Sequence, residues 1–418
     1  MKKDGAVAIT GISMMTGLGL NLEDSWQGLL AGRSVTSRYS IFDPSGLPSP
    51  YGVELPVGAE DLFAQHIKKR KRSQMSRSTR MALTTAEMAI GDAELDLKGL
   101  DSTRVGVIIG TTGTAHIHKE GQADDMRILK NMSNSPASWI SLTNKLHGPS
   151  FVVGTACSSG VYAIASAFGL IRGGLCDLVV CGSIDSSLNY PDVEGFCNLM
   201  ALAGPEHQAL TASRPFDQKR SGFVMGEGAG LMVMESIEHA KKRKARVYAL
   251  SHYPGLYTES YNILSPKPGG KGMARCMQLA LDHSGLAPTD IDYINAHGTS
   301  THVNDLYETM AIKEVFGRQA ENIAISSTKS MTGHCLAAGA GIEAVICCKA
   351  LQQNIIPPTI NLTDPDPELD LDYVANKARP KELKHVMSNS FAFGGHNGVN
   401  IFSDPASCLP PAMQRKKQ

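Results

Sequence analysis

The 418-residue chain lacks an excess of charge of either sign, because 40 Lys+Arg balance 40 Asp+Glu. Whole-chain electrostatics therefore give no case for nucleic acid or an anionic membrane as partner. Charge is also scarce at 19%, below the roughly 25% usual in soluble proteins. Hydrophobics reach 42%, enough for a large core and too many for a disordered chain. Long apolar runs are missing. Stretches such as Val105–Gly110 and Leu178–Gly182 fall far short of the roughly 20 residues of a membrane span. The start, Met1-Lys2-Lys3-Asp4-Gly5, leads into a strand-like run and not a signal-peptide core. Cysteine patterning is absent as well. The nine cysteines, at 157, 176, 181, 197, 276, 335, 347, 348 and 408, form no CxxC pair and no metal-ligand spacing. Neither a disulfide framework nor a metal centre is expected, and a reducing, cytoplasmic compartment is.

What is present is an alternation of short β-branched runs with longer helical patterns, which predicts an α/β protein. Strand-like runs fall at 6–12, 105–110, 151–154, 178–182 and 230–235. A second set falls at 245–251, 291–296, 323–327, 385–389 and 399–403. Helical patterns cover 78–92, 158–173, 272–284, 304–316 and 337–353. The charged stretch His239–Ala245 marks the best boundary, giving halves 1–244 and 245–406 and a flexible tail 407–418. The halves read as a diverged repeat. A strand enters Thr155-Ala-Cys-Ser-Ser-Gly160 and a helix in one; a strand enters Met331-Thr-Gly-His334 and a helix in the other.

Four segments carry chemistry. In Gly154–Gly160 the chain passes from strand to helix at Cys157, as in a nucleophile elbow. The helix N-terminus there is expected to lower the thiol pKa. In Ala296-His-Gly-Thr-Ser-Thr301, His297 ends a strand, and Thr299 and Thr301 could bind an amide-rich ligand. Ser326–Cys335 brings Lys329 and His334 into one loop, with Glu343 on the following helix as a possible partner of Lys329. It is not a P-loop, since GxxxxGK[ST] is absent, and Gly339 and Gly341 are read as close helix packing. Asn389–Gly398 carries paired glycines whose backbone N–H groups could face a cavity, as an oxyanion requires. A thiol, two histidines, a lysine and a donor loop together are the parts of thioester chemistry.

The chain resembles the elongating β-ketoacyl-[acyl-carrier-protein] synthases, ketosynthases of the thiolase-like superfamily. The likeness rests on Thr155–Gly160, Ser213-Arg-Pro-Phe-Asp217, Gly222–Gly230, Asn295–Thr301, Ser326–His334, Pro357–Leu362 and Gly395-His-Asn-Gly398. It implies a five-layered α/β/α/β/α fold built from two similar halves. It also implies decarboxylative Claisen condensation of malonyl-carrier protein with an acyl chain on Cys157. By position, His297 and His334 would promote decarboxylation, Lys329 would set the electrostatics, and Glu343 would support it. The N–H groups of Cys157 and Phe393 would form the oxyanion hole, and Thr299 and Thr301 would line the pantetheine tunnel. No metal or redox cofactor is implied, since the pantetheine belongs to an acyl carrier protein. A homodimer, or a heterodimer with a chain-length-factor-like subunit, is the implied assembly.

Departures from the family pattern shape the substrate expectation. Ala392 stands for a common Gly, and His396 for a Thr beside the tunnel, where it would touch substrate. The segment Gly113–Leu142 is polar where housekeeping enzymes are apolar. It follows Thr111 and Thr112 and carries His116, His118 and Asn134, and a saturated chain would leave any of these that face inward unpaired, unless they face the dimer surface or solvent. These features favour specialised polyketide or polyene assembly. Housekeeping fatty-acid elongation and a non-condensing, pocket-shaping partner subunit are the alternatives. The run Lys68-Lys-Arg-Lys-Arg72 would dock an acidic carrier.

Overall fold

The computed structural model describes residues 5–113 and 125–408. Strands β1 (Val7–Met15), β2 (Val105–Gly110), β3 (Ser150–Val153), β4 (Leu178–Asp185) and β5 (Gly228–Glu235) come from the first half. From the second come β6 (Ala249–Ser251), β7 (Gly255–Thr258), β8 (Tyr293–Asn295), β9 (Ala324–Ser326), β10 (His385–Phe391) and β11 (His396–Ser403). They are hydrogen-bonded in the order β9-β8-β10-β11-β6-β1-β5-β4-β2-β3, with β7 beside β11.

That order contains the repeat. From β1 outward the first half runs first, fifth, fourth, second, third. The second half runs the same way from β6 and β7, through β11, β10 and β8, to β9. Pairing senses match: β2 is parallel to β3 and β4, and β4 antiparallel to β5. Likewise β8 is parallel to β9 and β10, and β10 antiparallel to β11. In each half the helix after the third strand faces inward: α3 (Ser159–Arg172) and α6 (Ala337–Gln353) pack on one another and on strands of both halves. Helices α1 (Arg77–Asp92) and α2 (Ser135–Asn144) cover one outer face, and α4 (Lys271–Ser284) and α5 (His302–Phe316) the other. The result is the five-layered α/β/α/β/α thiolase-like fold.

The central layer explains the small residues. A side chain at Gly160 would come within 2.5 Å of Ser183 Oγ and 2.8 Å of Gly341 N. One at Gly341 would meet Gly230 O at 2.4 Å. Glycine is required at 160 and 341 because backbones touch, which accounts for Gly341 without a nucleotide. Nearly the whole of α6, Ala337 to Leu351, is buried.

Some elements escaped the pattern. The run 245–251 pairs as a strand only over Ala249–Ser251, and Gly255–Thr258 forms an unforeseen strand. Within Gly113–Leu142, residues 114–124, with His116 and His118, lie outside the described residues, as does the tail from 409. Asn134 is exposed just ahead of α2. Among the described residues no helix is long and apolar enough to cross a membrane.

Candidate active site

Beyond β3 the chain turns sharply at Ala156, whose φ of 48° is left-handed, and Cys157 stands just before α3. Three bonds fix the turn: Thr155 N to Ser159 Oγ at 2.9 Å, Ser158 Oγ to Thr155 O at 2.8 Å, and Ser159 Oγ to Ala156 O at 2.6 Å. Burial pushes the Cys157 thiol up to about 12, against the pull of Lys329 and with a smaller push from Asp185. Desolvation of a thiolate in this apolar wall thus works against the expected lowering by the helix end.

His297 leaves β8 into Gly298, which has φ 39°. The N–H groups of His297 and Gly298 both donate to the Glu308 carboxylate at 2.8 Å, and Asn389 Nδ2 donates to it at 3.0 Å. Glu308 thus braces the histidine from inside α5, a role the sequence did not reveal, since a glutamate on a helix looks like any surface residue. His334 follows the single turn Lys329–Thr332. Its N donates to Val224 O at 2.7 Å, and its O accepts from Gly226 N at 3.0 Å. The two imidazoles are 5.3 Å apart between ring centres and inclined at 87°, with Phe223 edge-on to His334 at 5.0 Å. Burial, and then the Lys329 charge, hold both rings well below the usual histidine range, so both are neutral near pH 7.

Lys329 pairs with Glu343, both buried. Burial pushes the Glu343 carboxyl up to about 7, while Lys329 holds it down. The pair sits behind the histidines and outside the cavity wall.

A cavity of about 590 Å³ gathers the rest: Cys157, His297, His334, Thr299, Thr301 and Phe393 all line it. Thr299 Oγ1 and Thr301 Oγ1 share a hydrogen bond of 2.9 Å. First-half residues Thr112, Ser187, Asp192, Phe196 and Leu199 form one part of the wall. Second-half residues Leu264, Pro266, Val303 and Asn304 form another. Next to Phe393, Gly394 and Gly395 take φ of 80° and 72°, and their N–H groups bind Ile263 O at 2.7 Å and Ala392 O at 3.1 Å. Ala392 itself is extended, at φ −120°, so the departure from glycine brings no strain.

Three further expectations are corrected. The N–H groups of the paired glycines Gly394 and Gly395 are not free to face the cavity, since Ile263 O and Ala392 O take them. His396 does not line the cavity. Gly395 and Asn397 do, and strand alternation turns His396 away, edge-on to Tyr162 at 6.2 Å. Thr111 and Thr112 are not unpaired either. Thr111 Oγ1 donates to Gly113 O at 2.9 Å, and Thr112 Oγ1 donates to the Asp185 carboxylate at 2.5 Å.

Comparison with known proteins agrees with this geometry. Residues 4–240 match the family model "Beta-ketoacyl synthase, N-terminal domain", and residues 253–363 match the C-terminal domain. The 3-oxoacyl-[acyl-carrier-protein] synthase 2 of Synechocystis sp. is 38% identical over 95% of this chain and 97% of its own. That of Staphylococcus aureus is 37% identical over 96% and 99%. Among solved structures, the ishigamide ketosynthase/chain length factor superposes with a TM-score of 0.87 at 31% identity, covering 96% of this chain and 99% of that one. A type II PKS acyl-carrier protein in complex with its ketosynthase bound to the hexaketide gives 0.86 at 30%, with the same coverage. A sheet repeated in two halves, a cysteine and two neutral histidines in one cavity, and these likenesses along almost the whole chain place the protein in the β-ketoacyl synthase family.

Proposed function

We propose that this chain is the condensing subunit of a carrier-protein-dependent ketosynthase acting in specialised polyketide or polyene assembly. The observation that carries the reading is the convergence of Cys157 with His297 and His334 on one cavity from opposite halves. Cys157 takes the acyl group from an acyl carrier protein, the thiol proton leaving with the pantetheine sulfur. The malonyl thioester then enters past Thr299 and Thr301. Neutral imidazoles of His297 and His334 donate to its carbonyl oxygen as CO₂ departs, holding the negative charge of the enolate. The enolate carbon attacks the acyl carbonyl, whose oxygen is held by the N–H groups of Cys157 and Phe393, and the Cys157 thiolate leaves. Burial keeps both histidines neutral, and the charge of Lys329, fixed by Glu343, adds to it. Decarboxylation itself generates the carbon nucleophile, so the reaction as written needs no metal or redox cofactor.

The specialised reading draws support from the polyketide neighbours. Housekeeping elongation, the second reading, is favoured by the 37–38% identity to 3-oxoacyl-[acyl-carrier-protein] synthase 2. The expected penalty for a saturated chain no longer separates the two, since Thr112 is already paired. For the carrier, we place the docking surface at Lys68–Arg72. Lys68, Lys69 and Arg70 are exposed, and none of the five has an ion-pair partner among the described residues. Exposed Phe151 on the edge strand β3, with Leu142 and Leu199, marks the face for a second like chain. A cytoplasmic location belongs to the same reading. Intact-protein mass spectrometry tests it: an acyl adduct on Cys157 is expected, and adding malonyl-carrier protein should discharge it while the carrier protein gains a β-ketoacyl chain two carbons longer. An adduct that is merely hydrolysed would point to a thioesterase, and no adduct at all to a non-condensing subunit.

A further inference from the structure

The buried carboxylate of Asp185 lies at the end of β4, 1% exposed and outside the chemistry described above. It accepts from Thr112 Oγ1 at 2.5 Å and from Ser187 Oγ at 2.6 Å, and from the N–H of Ala337 that begins α6. Thr112 and Ser187 both lie in the cavity wall. A hydroxyl has one hydrogen and two lone pairs. With each hydrogen committed to Asp185, both side chains are left with lone pairs alone to offer the cavity. Asp192, the third polar side chain of that wall, is a carboxylate whose Oδ2 already accepts from Asn189 Nδ2 at 2.6 Å. The Gly113 N–H is taken by Thr111 Oγ1 at 3.1 Å. The other described first-half lining residues, Ala156, Phe196, Leu199, Ala201 and Phe223, have apolar side chains, beside Cys157 itself.

We infer that Asp185 is a specificity-determining residue that, among the described residues, ties up the hydroxyl donors of this first-half wall of the cavity, so that the enzyme takes acyl chains with methylene, alkene or hydroxyl groups against that wall and rejects chains with a keto oxygen there. A carbonyl pressed against acceptors loses its water partners and gains none, whereas a methylene loses nothing and a hydroxyl can donate. Burial raises Asp185 to about 6, so at pH 7.5 it is an anion and an acceptor only. The inference rests on Cys157 as the acyl acceptor.

The test is the rate of Cys157 acylation, followed by intact mass at pH 7.5. The substrates are pantetheine thioesters of octanoyl chains bearing a methylene, hydroxyl or keto group at carbon 5 or carbon 7. For the wild-type enzyme the keto chain should load about 10- to 100-fold more slowly than the methylene chain at one position or both. Asp185→Asn should narrow that ratio, because its amide donates to one hydroxyl and frees that hydroxyl's hydrogen to face the cavity. Equal wild-type rates for keto and methylene chains at both positions would overturn the inference without any variant. A ratio unchanged in a folded Asp185→Asn would overturn the role of Asp185. Failure of every chain to load would instead remove the acyl-acceptor reading on which this one stands.

Discussion

The imidazoles of His297 and His334 meet nearly at right angles, 5.3 Å apart, although one follows a strand and the other precedes a helix. Being neutral and adjacent, they can donate to one oxygen from two directions. His297→Ala and His334→Ala should each still form the Cys157 adduct, yet release CO₂ from malonyl-carrier protein about 10²- to 10⁴-fold more slowly. The check is adduct mass beside CO₂ release; a matching loss of loading would mean that the rings activate the thiol.

Cys157→Ala should abolish the acyl adduct outright. The flanking hydroxyls cannot substitute, since Ser158 Oγ and Ser159 Oγ both donate back into the turn. Mass-mapped acylation of either serine would contradict the assignment.

The high Cys157 pKa has a kinetic signature. Because only the thiolate reacts and burial pushes the thiol up to about 12, iodoacetamide alkylation should climb about tenfold per pH unit from pH 7 to 10. A plateau near pH 8 would show that the helix end, and not desolvation, governs this thiol.

Removing Lys329 leaves Glu343 buried beside no cation. Lys329→Ala should lose about 3–5 kcal/mol in urea unfolding at pH 8. The sign with pH follows from Glu343, whose folded pKa lies above its unfolded one. Wild type and variant alike lose stability as pH rises from about 4.5 towards 7, but without Lys329 the carboxyl holds its proton to still higher pH, so the deficit of the variant grows above about 7. Lys329→Ala should therefore be less impaired at pH 5 than at pH 8, and a second change, Glu343→Gln, should restore part of the loss. A deficit independent of pH would mean that packing, not charge, is what Lys329 supplies.

Charge reversal at Lys69 and Arg70 should raise KM for carrier-linked acyl chains about tenfold at low salt and leave pantetheine thioesters untouched. The effect should fade as salt is added. An equal change with both substrate types would place the defect in the cavity.

Much of this was legible along the chain. The β2 and α6 spans and the α3 span to within a residue or two follow from β-branched runs and small-residue helices, signals held within a few neighbouring residues. Cys157, His297, Lys329 and His334 stand in dense local motifs, and so could be named before any fold was known. Glu308, Asn389 and Asp185 could not. Each is an ordinary polar residue whose meaning lies in a partner far along the chain: Glu308 at the amides of His297 and Gly298, Asp185 at the hydroxyl of Thr112.

The sequence by itself determined the strand–turn–helix units, the repeat of those units and the residue types of the chemistry, because these depend on local backbone preference and side-chain identity. Only the tertiary structure decided the ionisation and the facing of those groups. Cys157 was expected to be acidic and is not, since layers from both halves exclude water around it. His396 was expected in the cavity, and its place on β11 turns it out. Thr112, facing inward, was expected to be left unpaired beside a saturated chain, and a carboxylate brought in from β4 takes its hydrogen. Desolvation, strand facing and long-range hydrogen bonding arise only when distant segments pack together, so no stretch of the chain carries them alone.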